Sequence, residues 1–244
     1  MTLQNKFAMV TGASTGIGRA VAVALGKEGA RVTLVARRIE ELEKTKRLIE
    51  DMGGKAEIFP ADLSKIDSIN ELISKIKSVT DKVDFLINIA GIWHGKDKIY
   101  ANTNFENFSQ EVILNTYTVG LTAPTLLVHG LISTMPKGSK IINLSGTFEN
   151  GAKGWLPYYV SKRAIEDLTI GLSEELKDKG IQVNCISPSD VATEEYQKYF
   201  PEDAANALKP VVVADFIVGL LGSDQTGKVF VLKNGQEPVE KFHG

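Results

Sequence analysis

Thr11-Gly12-Ala13-Ser14-Thr15-Gly16-Ile17-Gly18 is the stretch that decides the fold, and it lies between two segments of different character. Residues 7–10 before it form a short apolar run, and residues 19–25 after it have helical composition. Glycines allow unusual backbone angles and let a pyrophosphate approach backbone N–H groups at the positive end of a helix. The stretch therefore predicts strand, turn and helix, although glycines alone also occur in turns that need them only for packing.

Six further short β-rich runs follow the first one, with helical stretches between them. They span residues 31–35, 55–59, 83–88, 140–144, 181–186 and 228–232. Runs such as Phe85-Leu86-Ile87 are continuously apolar, as expected when helices cover both faces of a sheet. The pattern predicts an α/β fold with a doubly wound, seven-stranded parallel sheet in three α/β/α layers, of the Rossmann type. In such sheets, ligands bind beyond the carboxyl ends of the strands.

Composition narrows the class of protein. The chain has 244 residues, 43% of them hydrophobic, with a net charge of −2. We expect one domain over residues 1–244, without a membrane anchor and without a basic surface for nucleic acid. Cys185 is the single cysteine, so no internal disulfide can form, and a cytoplasmic protein is expected. His94, His129 and His243 lack partners at ligand spacing, so no metal site is predicted.

The second informative stretch is Trp155-Leu156-Pro157-Tyr158-Tyr159-Val160-Ser161-Lys162, which begins a predicted helix. Positions i and i+4 share a helix face, so Tyr158 and Lys162 point the same way, while Tyr159 is turned by about 100°. A nearby ammonium favours the phenolate, so Lys162 is predicted to lower the pKa of Tyr158. A chance tyrosine–lysine pair is the alternative when this motif is considered alone.

Taken together, the two motifs resemble those of the short-chain dehydrogenase/reductase family, in its branch of about 250 residues with Thr-Gly-x-x-x-Gly-x-Gly and Tyr-x-x-x-Lys. The resemblance covers essentially the whole chain. Further matches occur in family order, at Ala61-Asp62-Leu63, Asn88-Ile89-Ala90-Gly91, Asn115, Ser145 and Pro188-Ser189-Asp190-Val191-Ala192-Thr193.

This resemblance implies NAD(P)-dependent oxidation of alcohols or reduction of carbonyls, with a small-molecule substrate. The implied catalytic residues are Tyr158 as proton donor, Ser145 as a hydrogen-bond donor to the carbonyl oxygen, Lys162 on the nicotinamide ribose, and Asn115 as the anchor of a water. The implied cofactor-binding residues are Gly12, Ser14, Thr15, Gly16, Ile17, Gly18, Arg37, Arg38, Asp62, Leu63, Asn88, Ala90, Gly91, Tyr158, Lys162, Pro188, Val191 and Thr193.

The chain departs from the family pattern most importantly at Ser145-Gly146. Family members usually use the second residue of this pair as the catalytic serine, and here that residue is glycine. Ser145 lies thirteen residues before Tyr158, the usual separation, so we favour a one-residue shift over a lost serine. Ile89 replaces an asparagine, Ser189 replaces a glycine, and Lys233-Asn234-Gly235 replaces an acidic Gly-Gly turn.

Cofactor preference depends on the end of the second strand. An acidic side chain there would bind the 2′-hydroxyl of NAD, but the residue is Ala36, followed by Arg37 and Arg38. Since a guanidinium pairs with a 2′-phosphate, NADP(H) is predicted; the alternative is that both arginines simply lie in a solvated loop.

Residues 188–208 are predicted to form the substrate loop. Tyr196, Tyr199 and Phe200 would give it an apolar ceiling, or equally one face of a surface helix. Trp93 and His94 are candidates for the border of the same pocket, although a histidine in such a loop is more typical of the surface.

Two classes of function and the oligomeric state stay open. A carbonyl reductase is favoured over an NADPH-binding sensor or scaffold with little catalysis, because the proton donor is present. Residues 112–132 and 164–176 contain apolar positions that would serve a homo-oligomer, a tetramer or a dimer, or would all pack on the sheet.

Overall fold

The computed structural model describes residues 2–95, 98–148 and 151–243 of the chain. A central sheet runs through these residues. Its strands are β1 Phe7–Thr11, β2 Arg31–Ala36, β3 Lys55–Pro60, β4 Phe85–Asn88, β5 Lys140–Leu144, β6 Gln182–Pro188, β7 Lys228–Leu232 and β8 Val239–Glu240. The helices are α1 Gly16–Lys27, α2 Ile39–Glu50, α3 Ile66–Val79, α4 Gln110–Tyr117, α5 Ala123–Leu131, α6 Leu156–Glu175, α7 Glu194–Tyr199, α8 Pro201–Ala204 and α9 Pro210–Leu221.

The strand order is β3-β2-β1-β4-β5-β6-β7-β8, and all pairs are parallel except β7 with β8. The predicted α/β doubly wound fold is therefore confirmed. The order reverses between β1 and β4, where such sheets bind ligands.

All seven predicted parallel strands are present, and the described part of the sheet contains one more strand that was not predicted. The additional strand, β8, is antiparallel to β7 and pairs Val239 with Val231 and Glu240 with Phe230. Its two residues are exposed, so it lacks the apolar alternation by which a strand is recognised in sequence.

Both faces of the sheet are buried, which explains the continuously apolar strands. Leu86 and Met9 pack into a core on one face with residues of α3 and α5, whereas their neighbours Ile87 and Val10 pack on the other face with α1 and α9. Successive side chains of a strand point to opposite faces, so both must be apolar. The helices thus form the outer layers and leave the carboxyl edge of the sheet open.

Helix α6 carries the Tyr158–Lys162 motif and packs along β5 and β6. Pro157 lies in its first turn, where a missing N–H costs no hydrogen bond. The α-helix ends at Glu175, and a 3₁₀ turn over Lys177–Lys179 continues to Gly180, whose φ is 65°. Glycine there reverses the chain towards β6.

Candidate active site

The turn after β1 is shaped by glycines that no other residue can replace. Gly12 and Gly16 have φ of 70° and 55°, and a Cβ on Gly18 would lie 2.1 Å from the Gly12 carbonyl oxygen. The first-turn amides of α1, which begins at Gly16, have no acceptor within the helix. This turn is a cradle for an anionic phosphate.

Thr11 joins this turn to the turn after β4. Its hydroxyl oxygen accepts hydrogen bonds from the Ile89 amide at 3.1 Å and the Ala90 amide at 3.3 Å. Both glycine-containing turns are thereby held together at the point where the strand order reverses.

A cavity of about 680 Å³ opens along this edge of the sheet. It is lined by most of the predicted cofactor residues: Gly12, Ser14, Thr15, Gly16, Ile17, Gly18, Arg37, Arg38, Asp62, Leu63, Ala90, Gly91, Tyr158, Lys162 and Thr193. Asn115 also lines it, three residues before a π-helical turn over Thr118–Thr122. The sequence motifs therefore converge on one elongated cleft.

Three predicted cofactor residues, Asn88, Pro188 and Val191, are buried behind the cavity wall. Asn88 donates a hydrogen bond to Asn143 on the neighbouring strand at 2.9 Å. The Pro188 carbonyl accepts from the Thr147 amide at 3.0 Å. These three side chains are not among those that line the cavity, so contact of Asn88, Pro188 and Val191 with a cofactor stays a prediction.

Two arginines and a carboxylate lie at one end of the cavity. Arg37 and Arg38 are exposed, and Arg38 donates to the Thr15 hydroxyl at 3.2 Å. Burial of Asp62 opposes its ionisation, but hydrogen bonds from Ser64 and the positive charge of Arg37 prevail and lower the pKa of Asp62. This end of the cavity combines fixed positive charge with a hydrogen-bond acceptor.

Tyr158 and Lys162 lie at the other end, on the same face of α6 as predicted. The Lys162 Nζ lies 5.3 Å from the centre of the Tyr158 ring and donates to the Leu144 carbonyl at 2.7 Å. Tyr159 points elsewhere, towards Arg163, whose guanidinium carbon is 5.3 Å from the Tyr159 ring centre.

The protonation of this pair differs from the sequence-based prediction. Burial raises the pKa of the Tyr158 phenol above its usual value, and burial lowers the pKa of Lys162 to about 8 while Glu166 opposes that shift. The Lys162 ammonium lies 5.3 Å from the ring centre and donates to the Leu144 carbonyl, and burial is the cause that raises the pKa of the phenol. At neutral pH Tyr158 is thus protonated and able to act as an acid.

Ser145 is not in the cavity, and the prediction that it polarises a carbonyl is corrected. It is buried, and its hydroxyl lies 2.6 Å from the Glu166 carboxylate and 2.8 Å from the Lys162 carbonyl. Glu166 is fully buried and also accepts from the His243 amide at 2.8 Å. Ser145 therefore satisfies a buried carboxylate of α6.

We expect Ser145→Ala to leave turnover nearly unchanged while lowering the free energy of unfolding by about 1–2 kcal/mol, because a buried carboxylate loses a hydrogen bond. Denaturant unfolding and steady-state rates of the same preparation measure both quantities. A rate loss of about 10² at unchanged stability would restore the catalytic role of Ser145.

Gly146 occupies the neighbouring position and has room for a side chain. A Cβ there would lie 3.6 Å from Phe148 Cε2 and 4.0 Å from the Pro188 carbonyl oxygen, which are ordinary contacts. The Phe148 ring in turn meets the edge of Tyr158, with 5.8 Å between ring centres. Position 146 thus has no hydroxyl, although it has space for a side chain.

An aromatic cluster, which we define as Trp93, Trp155, Tyr196, Tyr199 and Phe200, stands beside Tyr158. The ring centre of Trp155 lies 6.1 Å from that of Tyr158. The ring centre of Trp93 lies 6.1–6.5 Å from those of the other four members of the cluster. Tyr196, Tyr199 and Phe200 thus pack against Trp93, while their role as a ceiling over substrate or as one face of a surface helix stays a prediction.

Helix α7 is anchored to the phosphate cradle. Thr193 caps α7 by accepting from the Tyr196 amide at 3.1 Å, and a Cβ on Gly16 would lie 2.9 Å from Thr193 Cγ2. Arg19 pairs with Glu194 at 3.3 Å and also with Glu41 of α2. Arg19 could not be predicted from the sequence because its partners lie 22 and 175 residues away.

The cavity is bordered by Trp93 and His94, which were candidates for this place from the sequence. It is also lined by three residues that were not predicted, Tyr100, Glu111 and Val112. The latter three come from the segment between β4 and α4 and from α4 itself, where no sequence motif marks them.

Across the described ranges, no group of three or more His, Cys, Asp or Glu side chains is arranged to hold a metal ion. None of the helices described is both long and apolar enough to span a bilayer.

Comparison with known proteins gives a family. Residues 6–204 match the model of the short chain dehydrogenase family. The fatty acyl-CoA reductase of Acinetobacter baylyi is 35% identical over 224 residues, which cover 88% of this chain and 72% of that protein.

Two solved structures are similar along nearly their whole length. The landomycin C-6 ketoreductase LanV, with bound NADP and rabelomycin, has a TM-score of 0.81 and 28% identity, covering 96% of this chain and 97% of that chain. The promiscuous reductase LugOII, which reduces a keto group in lugdunomycin biosynthesis, has a TM-score of 0.82 and 29% identity, covering 95% and 97%.

Proposed function

Because this chain belongs to the short-chain dehydrogenase family of oxidoreductases, we propose that it interconverts a carbonyl compound and a secondary alcohol with NADP(H). The observation that carries the proposal is the position of Tyr158 and Lys162 on the wall of the cavity that begins at the glycine cradle. Solved relatives that bind NADP and reduce ketones support it.

The cradle fits a dinucleotide. The glycine turn and the free amides of α1 would hold the pyrophosphate, Asp62 would lie by the adenine, and Lys162 would hold the nicotinamide ribose. The bound cofactor would supply or accept the hydride. Gly91 lies beside this pair, and a Cβ on it would lie 3.5 Å from Lys162 Nζ and 3.7 Å from the Tyr158 ring.

Tyr158 would supply the proton. Its raised pKa keeps the hydroxyl protonated, and general acid catalysis requires a proton where negative charge develops on the carbonyl oxygen. Lys162, with its pKa lowered to about 8, stays mostly charged at neutral pH; it would return a proton to the phenolate and regain one from solvent through a water anchored by Asn115.

NADPH consumption against a panel of ketones and aldehydes tests the proposal. Turnover of any panel member that disappears in Tyr158→Phe supports it. Saturable NADPH binding with no turnover of any panel member would contradict the reductase proposal. That result would favour a second candidate, an NADPH-binding sensor or scaffold with little catalysis. The observation that favours this second candidate is Gly146, which leaves the carbonyl without a second donor.

Preference for NADP(H) over NAD(H) rests on Arg37 and Arg38, exposed at the cavity end where β2 finishes with Ala36. We expect Arg37→Ala to weaken NADPH binding about tenfold or more and to leave NADH binding almost unchanged, because only the 2′-phosphate needs a guanidinium. Titration of both nucleotides measures the ratio of their affinities.

Arg47→Ala is the matched control for this change, since Arg47 is an exposed arginine of α2 outside the cavity. An equal loss of NADPH affinity in both variants would mean that Arg37 contributes only general positive charge. An unchanged ratio in Arg37→Ala would overturn the assignment.

We further propose that residues 188–208 form the substrate loop and that the protein is a cytoplasmic homo-oligomer. Exposed apolar side chains support the second part: Leu114 of α4 is 62% exposed and Val160 of α6 is 39% exposed. Burial of such residues between copies stabilises an oligomer. The molar mass in solution tests it, and a monomeric mass would remove the claim.

A further inference from the structure

The aromatic cluster is assembled from three separate parts of the chain. Trp93 follows β4, Trp155 precedes α6, and Tyr196, Tyr199 and Phe200 lie in or next to α7. Trp93 is within 6.5 Å of Trp155, Tyr196, Tyr199 and Phe200 between ring centres. Both tryptophans of the chain are therefore in this cluster.

Three rings of the cluster are inclined to one another by less than 40°, whereas Tyr196 and Tyr199 are inclined to Trp93 by 59° and 84°. Trp93 and Trp155 are inclined by 35°, Trp93 and Phe200 by 37°, and Trp155 and Phe200 by 31°. Offset stacking on such faces favours flat aromatic groups over aliphatic groups of the same size. These three rings are thus the most similarly oriented of the cluster, and Trp93 among them lines the cavity.

The cluster is not part of the hydrophobic cores. All five residues are only partly buried, and none belongs to the buried clusters on either face of the sheet. Trp93 lines the cavity, and Trp155 touches the catalytic candidate Tyr158 at 6.1 Å between ring centres. An apolar surface in this place lies where the body of a substrate must rest when its carbonyl reaches the phenol.

One polar atom of the cluster lacks a partner. The Tyr199 hydroxyl is shielded from solvent and makes no hydrogen bond to the parts of the chain that the structure describes. A buried hydroxyl without a partner is costly, so such groups usually meet a ligand or water. By contrast, the Tyr196 hydroxyl lies near the Asp190 carboxylate, and burial together with that carboxylate raises the pKa of Tyr196.

We propose that the aromatic cluster is the substrate subsite and that it takes flat, fused-ring ketones that carry a hydroxyl or oxo group on the ring remote from the reacting carbonyl. The rings of Trp93, Trp155 and Phe200 bind the flat body, and the Tyr199 hydroxyl binds the remote oxygen. The proposal rests on the proposed function and adds a substrate class to it, without a new chemical step.

Two bicyclic ketones with the same carbon skeleton test the substrate class. β-Tetralone contains an aromatic ring, and β-decalone is its saturated counterpart. We expect kcat/KM with NADPH to be about tenfold or more higher for β-tetralone, as two stacking contacts predict. In Trp155→Leu this preference falls towards unity, whereas the control Phe242→Leu, an exposed ring outside the cluster, keeps it. Equal or higher kcat/KM for β-decalone overturns the proposal while leaving the reductase function intact.

Tryptophan fluorescence separates binding from turnover. If the cluster is the subsite, β-tetralone should quench the fluorescence of both tryptophans saturably in the NADPH complex of Tyr158→Phe. β-Decalone should reach the same quenching only at about tenfold higher concentration. Linear, non-saturating quenching overturns the proposal. This readout decides the subsite even when no ketone is turned over, in which case the proposed function fails separately.

The Tyr199 hydroxyl is tested with a β-tetralone that bears a hydroxyl on its aromatic ring. Relative to β-tetralone, the hydroxylated ketone should bind more tightly to the unmodified protein, and Tyr199→Phe should remove the difference. A difference that survives in Tyr199→Phe overturns the assignment of the remote oxygen to Tyr199.

Discussion

Replacement of Tyr158 by phenylalanine should lower kcat for ketone reduction about 10³-fold and leave NADPH affinity unchanged. The substitution removes only the hydroxyl that would give its proton to the carbonyl oxygen. The ring keeps its neighbours, Trp155 at 6.1 Å, Phe148 at 5.8 Å and the Lys162 ammonium at 5.3 Å. The fold and the cofactor site are therefore preserved, and the loss appears in turnover alone.

Tyr159→Phe is the matched control, because it removes the same atom one residue along the same helix. Tyr159 contacts Phe148 and Arg163 and does not line the cavity. Steady-state rates and nucleotide titrations of both variants give the comparison. Full turnover in Tyr158→Phe, or an equal loss in Tyr159→Phe, would show that another group donates the proton.

Gly146→Ser should raise kcat for ketone reduction about tenfold to a hundredfold. One positioned donor to a developing oxyanion contributes about 10²–10³ in rate, and the present site has Tyr158 but no hydroxyl at position 146. The side chain fits, because its Cβ would make contacts of 3.6 Å and 4.0 Å, and Gly146 does not have the positive φ that disfavours other residues.

Gly146→Ala separates the hydroxyl from the added carbon. Both variants restrict the backbone equally and make the same Cβ contacts, so only the hydroxyl distinguishes their rates. The expected order of kcat is serine above glycine, with alanine equal to or below glycine. A serine variant no faster than the alanine variant would mean that position 146 does not face the reacting carbonyl.

The error over Ser145 shows what spacing in sequence cannot decide. Ser145 directly follows β5, and successive side chains of an extended chain point to opposite faces, so a shift of one residue exchanges the helix side for the cavity side. Ser145 has the usual separation of thirteen residues from Tyr158, but its side chain does not point to the cavity. Ser145 points to Glu166, whose carboxylate in the middle of α6 could not be assigned a partner from sequence.

The regular features were predictable because they depend on local patterns. The parallel strands follow from short apolar runs, and the common face of Tyr158 and Lys162 follows from their spacing by four in a helix. The aromatic cluster does not follow from any such pattern, since Trp93, Trp155 and Phe200 meet only after the chain has crossed the sheet several times. The same holds for Tyr100, which reaches the cavity from an irregular segment.

The contact of Thr193 with Gly16 and the ion pair of Arg19 with Glu194 have a consequence for evolution and for engineering. The segment that would be exchanged to change the substrate is braced against the turn that would hold the phosphates. A grafted loop without a small partner for Gly16 and an acid for Arg19 would disturb nucleotide affinity as well as substrate choice. Under the proposed function, a library aimed at substrate range should therefore keep positions 193 and 194 constant.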